Sequence, residues 1–330
     1  MRFHLPALPG QPTTRANSHC AFTSKVRKWT RMMTERGHEV ILYGSVENDA
    51  PATEHVPCIP TFSPPPAEPE HEDWRRANAK IAVQIEDRKE PGDFLCLPFG
   101  VCHRRLTELH PDLTAVETGI GYAGAFARHR IYESYAWMHV ALGRQGHDPD
   151  GMDEWAVIPN YFETEDFPAG EPEDYLLYVG RMTERKGVHL AARVAEATGH
   201  DLILAGEGEE IPAYGDYIGP VGPDARADLM SHAKALICPT RYVEPFGGVA
   251  VEAQLCGTPV ITTDWGAFTE TVEQGVSGYR CRTWTDFLLA SVNVAGLDRA
   301  EIRRRAQDRW SLEAVAPQFE SYFNRTEETA

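Results

Sequence analysis

The chain has 330 residues, which exceeds one ordinary hydrophobic core and suits two domains. Hydrophobic residues make up 42%, and no run approaches the roughly 20 apolar residues of a membrane-spanning helix, which excludes a spanning membrane protein. Lys and Arg total 32 against 49 Asp and Glu, and the formal charge of -17 disfavours non-specific binding of nucleic acid. The seven cysteines form no C-x-x-C pair, so neither a zinc ribbon nor a disulfide framework is indicated. The first residues lack the pattern of a secretory signal, and we expect a cytoplasmic protein.

The first half of the chain contains short apolar runs typical of strands, and one amphipathic helix. The runs begin at Arg2, Glu39, Asp93, Leu113 and Trp155. Between Thr23 and Gly37 the pattern predicts a helix whose apolar stripe packs on a sheet. That stripe consists of Phe22, Val26, Trp29 and Met33. Residues 50–73 are rich in proline and acidic side chains, which predicts a loop.

The segment from residue 12 to residue 36 is basic within an acidic protein. Six cations stand against Glu35 alone, which gives a net charge of 6 minus 1, or +5. The six are Arg15, Lys25, Arg27, Lys28, Arg31 and Arg36. Peripheral contact of residues 15–36 with an anionic membrane is one hypothesis for this segment. The simpler interpretation is a helix packed on its sheet, with its charges in solvent.

The second half alternates near-continuous apolar runs with amphipathic segments. The runs begin at Tyr175, Asp201, Ala235 and Pro259. Strands of this kind, separated by helices, predict a parallel sheet covered on both faces. The polar stretch 161–174 is the expected joint between the two halves, and residues 298–322 have a strongly charged helical pattern.

Two cations follow the strand that starts at Tyr175. Arg181 and Lys186 lie between the end of this strand and the next predicted helix. A planar guanidinium together with a compact ammonium suits a diphosphate. Positive charge at the start of a helix is unfavourable without an anion, which favours a binding role over a solvated surface.

The segment after the strand ALICPT is the most informative in the chain. Glu244 lies in the loop, Gly247 and Gly248 open a helix, and Glu252 lies inside that helix. Glycines at a helix start let a ligand approach free backbone donors closely. The two carboxylates can accept bonds from sugar hydroxyls, so this segment predicts a site for phosphate and sugar oxygens.

Residues 119–124, GIGYAG, match the letters of a dinucleotide-binding fingerprint. They lie deep in the first half, and the segment is interpreted as following a strand and preceding a helix. The acidic residue required about 20 positions further on would have to be Glu133. Glu133 lies in RIYESYAWMH, which has a helical pattern, so a nicotinamide enzyme is disfavoured.

The second half resembles retaining nucleotide-sugar glycosyltransferases of family 4. The matching segments are VIPNYFETEDF, LYVGRMTERKG, LILAGEGEE, YIGPVG and the run from CPTRYVEPFGG to VEQGVSGY. The resemblance implies the α/β GT-B architecture, in which two Rossmann-like domains with parallel sheets face each other across a cleft. It implies an acceptor-binding domain over 1–165, a nucleotide-sugar-binding domain over 166–305, and a closing helix over 306–330 that packs back on the first domain.

The resemblance also implies roles for individual residues. The family's E-x7-E motif maps onto Glu244, beside the donor sugar, and Glu252, beside the ribose hydroxyls. Arg181 and Lys186 match the cations that bind the diphosphate. Other donor contacts fall on Phe246, Gly247, Gly248, Gly206 and Ile218. The implied reaction is transfer of the sugar with retained anomeric configuration, and with no cofactor or metal, since the cations replace a divalent ion.

The first half departs from the family. Its phosphate loop keeps Gly10 alone where a Gly-Gly pair is usual, and Glu117 stands where many members place a histidine. Glu117 either acts as an acceptor-side acid or base or simply ends a strand. His103 and Tyr122 are the other acceptor-side candidates, although a lone histidine is more often structural.

Three alternatives remain for the function. The same architecture can carry sugar-nucleotide epimerase or hydrolase chemistry, or a non-catalytic sugar-nucleotide sensor. For a transferase, the acceptor is open between a glycan, a lipid headgroup, a protein, a small molecule and a modified DNA base. The charge of -17 weakens the last of these.

Overall fold

A computed structural model of the chain describes residues 1–17, 20–59, 71–146 and 152–329. Two compact units are present. The first comprises Met1–Tyr161 and the chain from Leu312 onward, and the second is Phe162–Ser311. Each unit is built on one parallel sheet.

Within the described residues of the first unit, seven strands form a sheet of order β3-β2-β1-β4-β5-β6-β7. The strands are β1 (Arg2–Pro6), β2 (Glu39–Gly44), β3 (Glu54–Pro57), β4 (Phe94–Cys96), β5 (Thr114–Ile120), β6 (His129–Tyr132) and β7 (Trp155–Val157). The helices are α1 (Ala21–Glu35), α2 (Glu72–Glu86), α3 (Arg104–Leu109), α4 (Tyr135–Gln145) and, at the end of the chain, α11 (Leu312–Thr329).

The described part of the second unit has a six-stranded sheet of order β10-β9-β8-β11-β12-β13. The strands are β8 (Tyr175–Val179), β9 (Asp201–Ala205), β10 (Asp216–Gly219), β11 (Ala235–Cys238), β12 (Val260–Thr263) and β13 (Gly278–Cys281). The helices are α5 (Val188–Thr198), α6 (Pro223–His232), α7 (Gly248–Leu255), α8 (Phe268–Thr271), α9 (Trp284–Asn293) and α10 (Arg299–Trp310).

The predicted α/β class with two parallel sheets is confirmed. All residues of β11 and β12 are buried, as continuous apolar runs require of strands covered on both faces. Each sheet reverses its strand order at one point, between β1 and β4 in the first unit and between β8 and β11 in the second. Ligands of open parallel sheets bind beyond the carboxyl ends of the strands at such a switch point.

Helix α1 carries the predicted apolar stripe. Val26, Trp29 and Met33 are buried in the core of the first unit, and Phe22 packs at its edge. The cations of the basic segment 12–36 face carboxylates. The pairs are Lys25–Glu133, Arg27–Asp49, Arg31–Glu35 and Arg36–Glu320. Three of these four acids lie outside the segment, so its formal charge is largely compensated within the first unit.

Two interpretations of the first half are wrong. Residues 50–73 are not only a loop, because Glu54–Pro57 form the edge strand β3 and α2 begins at Glu72. Residues 60–70 of that segment lie outside the described ranges. The GIGYAG segment precedes no helix, because β5 continues through Ile120 and an eight-residue loop then leads into β6. Residues 130–132 are strand rather than helix, which places Glu133 directly after β6.

The charged stretch 298–322 forms two helices rather than one. Ser311 has an extended backbone (φ -63°, ψ 160°) and forms an isolated β-bridge with Phe162. Helix α10 therefore ends at Trp310. Helix α11 then packs on the first unit. Phe323 is fully buried, with its ring centroid 4.8 Å from those of both Phe3 and Phe94.

Because Phe323 fills the centre of this aromatic cluster, Phe323→Ala should lower the free energy of unfolding by about 3–5 kcal/mol. Urea unfolding followed by circular dichroism measures the loss. Phe323→Leu, which retains most of the apolar volume, should lose clearly less. Equal midpoints for wild type and Phe323→Ala would show that α11 does not support the first unit.

Candidate functional site

The switch point of the second sheet gathers most of the residues selected from the sequence. The loops after β8 and β11 begin on adjacent strands, because these two strands pair directly. Gly187 (φ +79°) lets the loops touch, since a Cβ there would lie 2.1 Å from the carbonyl oxygen of Pro239. Lys186 and the Thr240–Glu244 segment therefore lie at one place on the carboxyl edge of the sheet.

Lys186 and Glu244 form a largely buried ion pair at this point. The same carboxylate oxygen, Oε1, accepts a hydrogen bond from the Thr240 hydroxyl at 3.2 Å. Burial alone would lower the pKa of Lys186, but the charge of Glu244 outweighs it and the pKa is raised. The ammonium is therefore a permanent positive charge fixed beside a fixed carboxylate.

The loop after β12 fixes the backbone around Glu244. The Ala267 N–H donates to the Glu244 carbonyl at 3.1 Å, and Gly266 (φ +60°) lies so close that a Cβ would be 2.9 Å from the Glu244 nitrogen. Tyr242 covers the cations, with its ring centroid 4.8 Å from the Arg185 guanidinium and 5.1 Å from the Lys186 ammonium. Tyr242 was not selected from the sequence, since its role depends on loops that meet only in the fold.

Helix α7 begins at the same edge. Gly247 (φ +77°) caps it, and a Cβ there would lie 2.5 Å from the Phe268 ring. Phe246 is buried and stacks on Phe162, with 6.3 Å between ring centroids. An added Cβ on Gly248 would meet only the Phe162 ring, at the ordinary contact distance of 3.8 Å. The start of α7 thus presents backbone donors and the positive end of a helix dipole.

Glu252, on α7, faces an arginine that the sequence pattern did not reveal. The Arg226 Nη2 donates to Glu252 Oε1 at 3.4 Å, and Nε lies 3.0 Å from Oε2 as an ion pair. Arg226 lies on α6, 26 residues earlier in the chain. No local spacing rule relates two such positions, so only the packing of α6 on α7 brings them together.

The ends of β9 and β10, on the other side of β8, lie close to the loop that follows β8. The Gly206 N–H donates to the Gly219 carbonyl at 2.9 Å, and a Cβ on Gly206 would lie 1.9 Å from the Gly180 oxygen. Ile218 is 47% exposed at this edge. Arg181 is exposed, and among the described residues its guanidinium has no hydrogen bond or ion pair. A planar apolar group and an anion can both approach this edge.

The acceptor-side candidates of the first unit do not form one cluster. Glu117 is fully buried and accepts three hydrogen bonds, from the Tyr122 hydroxyl at 3.0 Å and from the N–H groups of Phe126 and Ala127 at 2.8 and 2.9 Å. Burial raises its pKa, although these bonds oppose the shift. Gly10 (φ +86°) lies in the loop after β1. Glu117 and Tyr122 thus fasten the loop between β5 and β6.

His103 is packed away from solvent. Its Nδ1 lies 3.0 Å from Asn78 Oδ1, and its ring contacts those of Trp74 and Phe99. Burial lowers the pKa of His103 to about 3. The imidazole is therefore neutral at physiological pH and enclosed by the core, which is the environment of a structural histidine.

A second ion pair, in the first unit, was not identified from the sequence. Lys25, on α1, contacts Glu133, which follows β6, and its Nζ donates to the Gly119 carbonyl at 2.9 Å. Gly121 leaves room for this carboxylate, because a Cβ there would lie 2.6 Å from Glu133 Oε2. Lys25 looks like surface charge in the sequence, but it neutralises a carboxylate at the carboxyl edge of the first sheet.

Within the described ranges, no group of three or more His, Cys, Asp or Glu side chains is arranged to hold a metal ion. In the same ranges, no helix has the length and apolar character to cross a membrane. The positive charge at the switch point of the second sheet comes from side chains and from the start of α7.

The buried His103 predicts a dependence of stability on pH. Its ordinary pKa of 6.5 applies in the unfolded chain, so below pH 6.5 only the unfolded state takes up this proton and stability falls. Between pH 6.5 and pH 5 this one group should cost about 2 kcal/mol. Urea unfolding at both pH values measures it. His103→Gln should lose less stability over this interval, and an equal loss in both proteins would contradict the assignment.

Comparison with known proteins agrees with these observations. Residues 173–294 match the family model of Glycosyl transferases group 1. Glycogen synthase from Mycobacterium tuberculosis is 32% identical over 188 residues, which are 48% of this chain and 43% of that protein. D-inositol 3-phosphate glycosyltransferase from Mycobacterium marinum is 34% identical over 123 residues, or 32% of this chain and 26% of that protein. The chain thus spans less than half the length of these relatives.

Solved structures match over the whole chain. AviGT4, a glycosyltransferase involved in avilamycin A biosynthesis, has a TM-score of 0.77 at 23% identity and covers 100% of this chain and 99% of its own. Sucrose-phosphate synthase from Thermosynechococcus elongatus has a TM-score of 0.79 at 18% identity, with full coverage of both chains. The resemblance to glycosyltransferases is confirmed. Residues 173–294 are therefore similar to the group 1 glycosyltransferases, and the two parallel sheets of the chain have the GT-B fold of the matching structures.

Proposed function

We propose that this protein is a retaining glycosyltransferase that moves a sugar from a nucleotide diphosphate sugar to a hydroxyl acceptor. The observation that carries the proposal is the fixed Lys186–Glu244 pair beside the glycine-capped start of α7, at the switch point of the second sheet. A related fold, that of HepE from Anabaena, has been solved with UDP and glucose; it has a TM-score of 0.66 at 15% identity and covers 98% of this chain and 99% of its own. We include a cytoplasmic location in the proposal.

The diphosphate is assigned to the cations and the helix start. Lys186, Arg181 and the N–H groups at Gly247 and Gly248 provide positive potential where charge develops on the leaving diphosphate. These groups supply the charge that a divalent ion would otherwise supply, and metal independence is part of the proposal. Because Lys186 and the start of α7 are held in place before the donor arrives, little reorganisation of these two groups is needed during the reaction.

The sugar and the nucleoside are assigned to the surrounding loops. Glu244 accepts bonds from the donor sugar, Glu252 accepts them from the ribose, and the base lies near Gly206 and Ile218. In a front-side mechanism the acceptor hydroxyl attacks the anomeric carbon on the face that the diphosphate leaves. The new carbon–oxygen bond replaces the carbon–oxygen bond to the diphosphate, which takes up the acceptor proton.

The first experiment is a thermal-shift panel of UDP, GDP, ADP and dTDP with their common sugars. A nucleotide at about 100 times its dissociation constant should add roughly 2.7 kcal/mol to the free energy of unfolding. The donor sugar should then stay intact until an acceptor is added. Product formed without any acceptor would instead support epimerase or hydrolase chemistry. If no nucleotide stabilises the protein at millimolar concentration, the donor-site proposal fails.

Glu244→Gln should reduce transfer by about 100-fold, because the neutral amide loses both the charge beside Lys186 and an acceptor for the sugar. Nucleotide release from the donor, with simple sugars and polyols as acceptors, measures the rate. Nucleotide affinity should change far less than the rate. The matched control is Glu184→Gln, an exposed carboxylate of the β8 loop paired with Arg241. Full activity in Glu244→Gln would refute the assignment.

A further inference from the structure

Arg226 holds the carboxylate of Glu252 by both oxygens. The Nε–Oε2 ion-pair distance is 3.0 Å and the Nη2–Oε1 hydrogen bond is 3.4 Å long, so the guanidinium contacts both oxygens of the carboxylate. The two side chains are each 18% exposed, which leaves the pair at the surface of the unit but partly shielded from water. Such a two-point contact fixes the orientation of the carboxylate as well as its position.

Arg226 lies on α6, and the packing of this helix fixes the position of the arginine. Gly222 precedes the helix and Pro223 occupies its first turn, which sets where the helix starts. Ala227 and Met230 are buried, and the Thr258 hydroxyl donates to the Met230 carbonyl at 2.5 Å. The guanidinium therefore extends from a helix that is anchored against the end of α7, the helix that carries Glu252.

The remaining hydrogen-bonding capacity of Glu252 suits a vicinal diol. A carboxylate has about four lone-pair sites, and the hydrogen bond from Nη2 occupies one of them. Sites on both oxygens remain, and each can accept a hydrogen bond from a hydroxyl of such a diol. A freely rotating glutamate would have to lose that freedom on binding, whereas a glutamate already fixed by an arginine does not.

We propose that Arg226 is a positioning residue that sets Glu252 for the two ribose hydroxyls and makes the donor site selective for ribonucleotides over 2′-deoxyribonucleotides. The inference rests on the proposed function, because it requires a nucleotide in the second unit. Arg226 itself touches the carboxylate and not the nucleotide. Its loss should therefore weaken discrimination at the sugar of the nucleoside more than binding of the diphosphate.

Calorimetric dissociation constants for UDP and 2′-deoxy-UDP test this directly, with GDP and ADP pairs used where UDP does not bind. Wild type should prefer the ribonucleotide by about tenfold or more, since the deoxy compound lacks one of the two hydroxyls that donate to the charged carboxylate. In Arg226→Gln the ratio should fall below about threefold. Arg226→Lys, which keeps the charge but not the fork, should give an intermediate ratio. Arg304→Gln, which removes an exposed arginine that pairs with Glu301 on α10, should leave the ratio unchanged.

A general loss of folding would weaken the binding of both nucleotides equally. The ratio of the two dissociation constants therefore separates positioning from a merely structural role. Thermal unfolding of each variant without nucleotide checks the fold. A wild-type ratio near one, or an unchanged ratio in Arg226→Gln, would overturn the inference and leave the donor site standing. If wild type binds none of the three ribonucleotides, the proposed function fails and this inference fails with it.

Discussion

The ion pair between Lys186 and Glu244 is the contact on which the site depends. Its partners are 58 residues apart and lie on loops that leave adjacent parallel strands. For the ammonium to reach the carboxylate, the two loops must touch, and Gly187 allows this because its missing Cβ would occupy the place of the Pro239 oxygen. Removing one partner would leave a buried charge without compensation, which costs more than the pair contributes. The pair therefore specifies a geometry rather than adding stability.

An ion pair in which a cation fixes a carboxylate also occurs elsewhere in this strongly acidic chain, in both units. Lys25 meets Glu133 at the carboxyl edge of the first sheet, and Arg226 meets Glu252 on α7 of the second unit. In each case a cation on one element fixes a carboxylate on another. Exposed pairs of this kind contribute little, but partly buried ones hold orientation because alternatives leave a charge unpaired. Among the cations that look like a basic surface in the sequence, Lys25 is thus an internal partner for an acid, whereas Arg27, Arg31 and Arg36 pair with carboxylates nearer the solvent.

The features that could be predicted from the sequence are those set by residues close together in the chain. Strands β8, β9, β11 and β12 are continuous apolar runs, and their parallel arrangement follows from the helices between them. Gly247 and Glu244 were selected because a loop between a buried strand and a helix is a local pattern. Strands β3 and β6 were not predicted, because each is only four residues long and carries polar side chains. Neither segment shows a periodic pattern that would indicate a strand. The Arg226–Glu252 contact was missed because it exists only once α6 packs on α7.

The connection between β5 and β6 explains the hydrogen bonds that Glu117 accepts. Parallel neighbours normally require a crossover of a dozen or more residues, usually a helix, yet here eight residues suffice. So short a connection has no helix to satisfy its backbone donors, and Glu117 accepts two of them together with the Tyr122 hydroxyl. A carboxylate already engaged by three donors and fully buried has little capacity left for an acceptor hydroxyl. Glu117 lies in the middle of β5 rather than at its end, and its three hydrogen bonds hold the short connection that follows the strand.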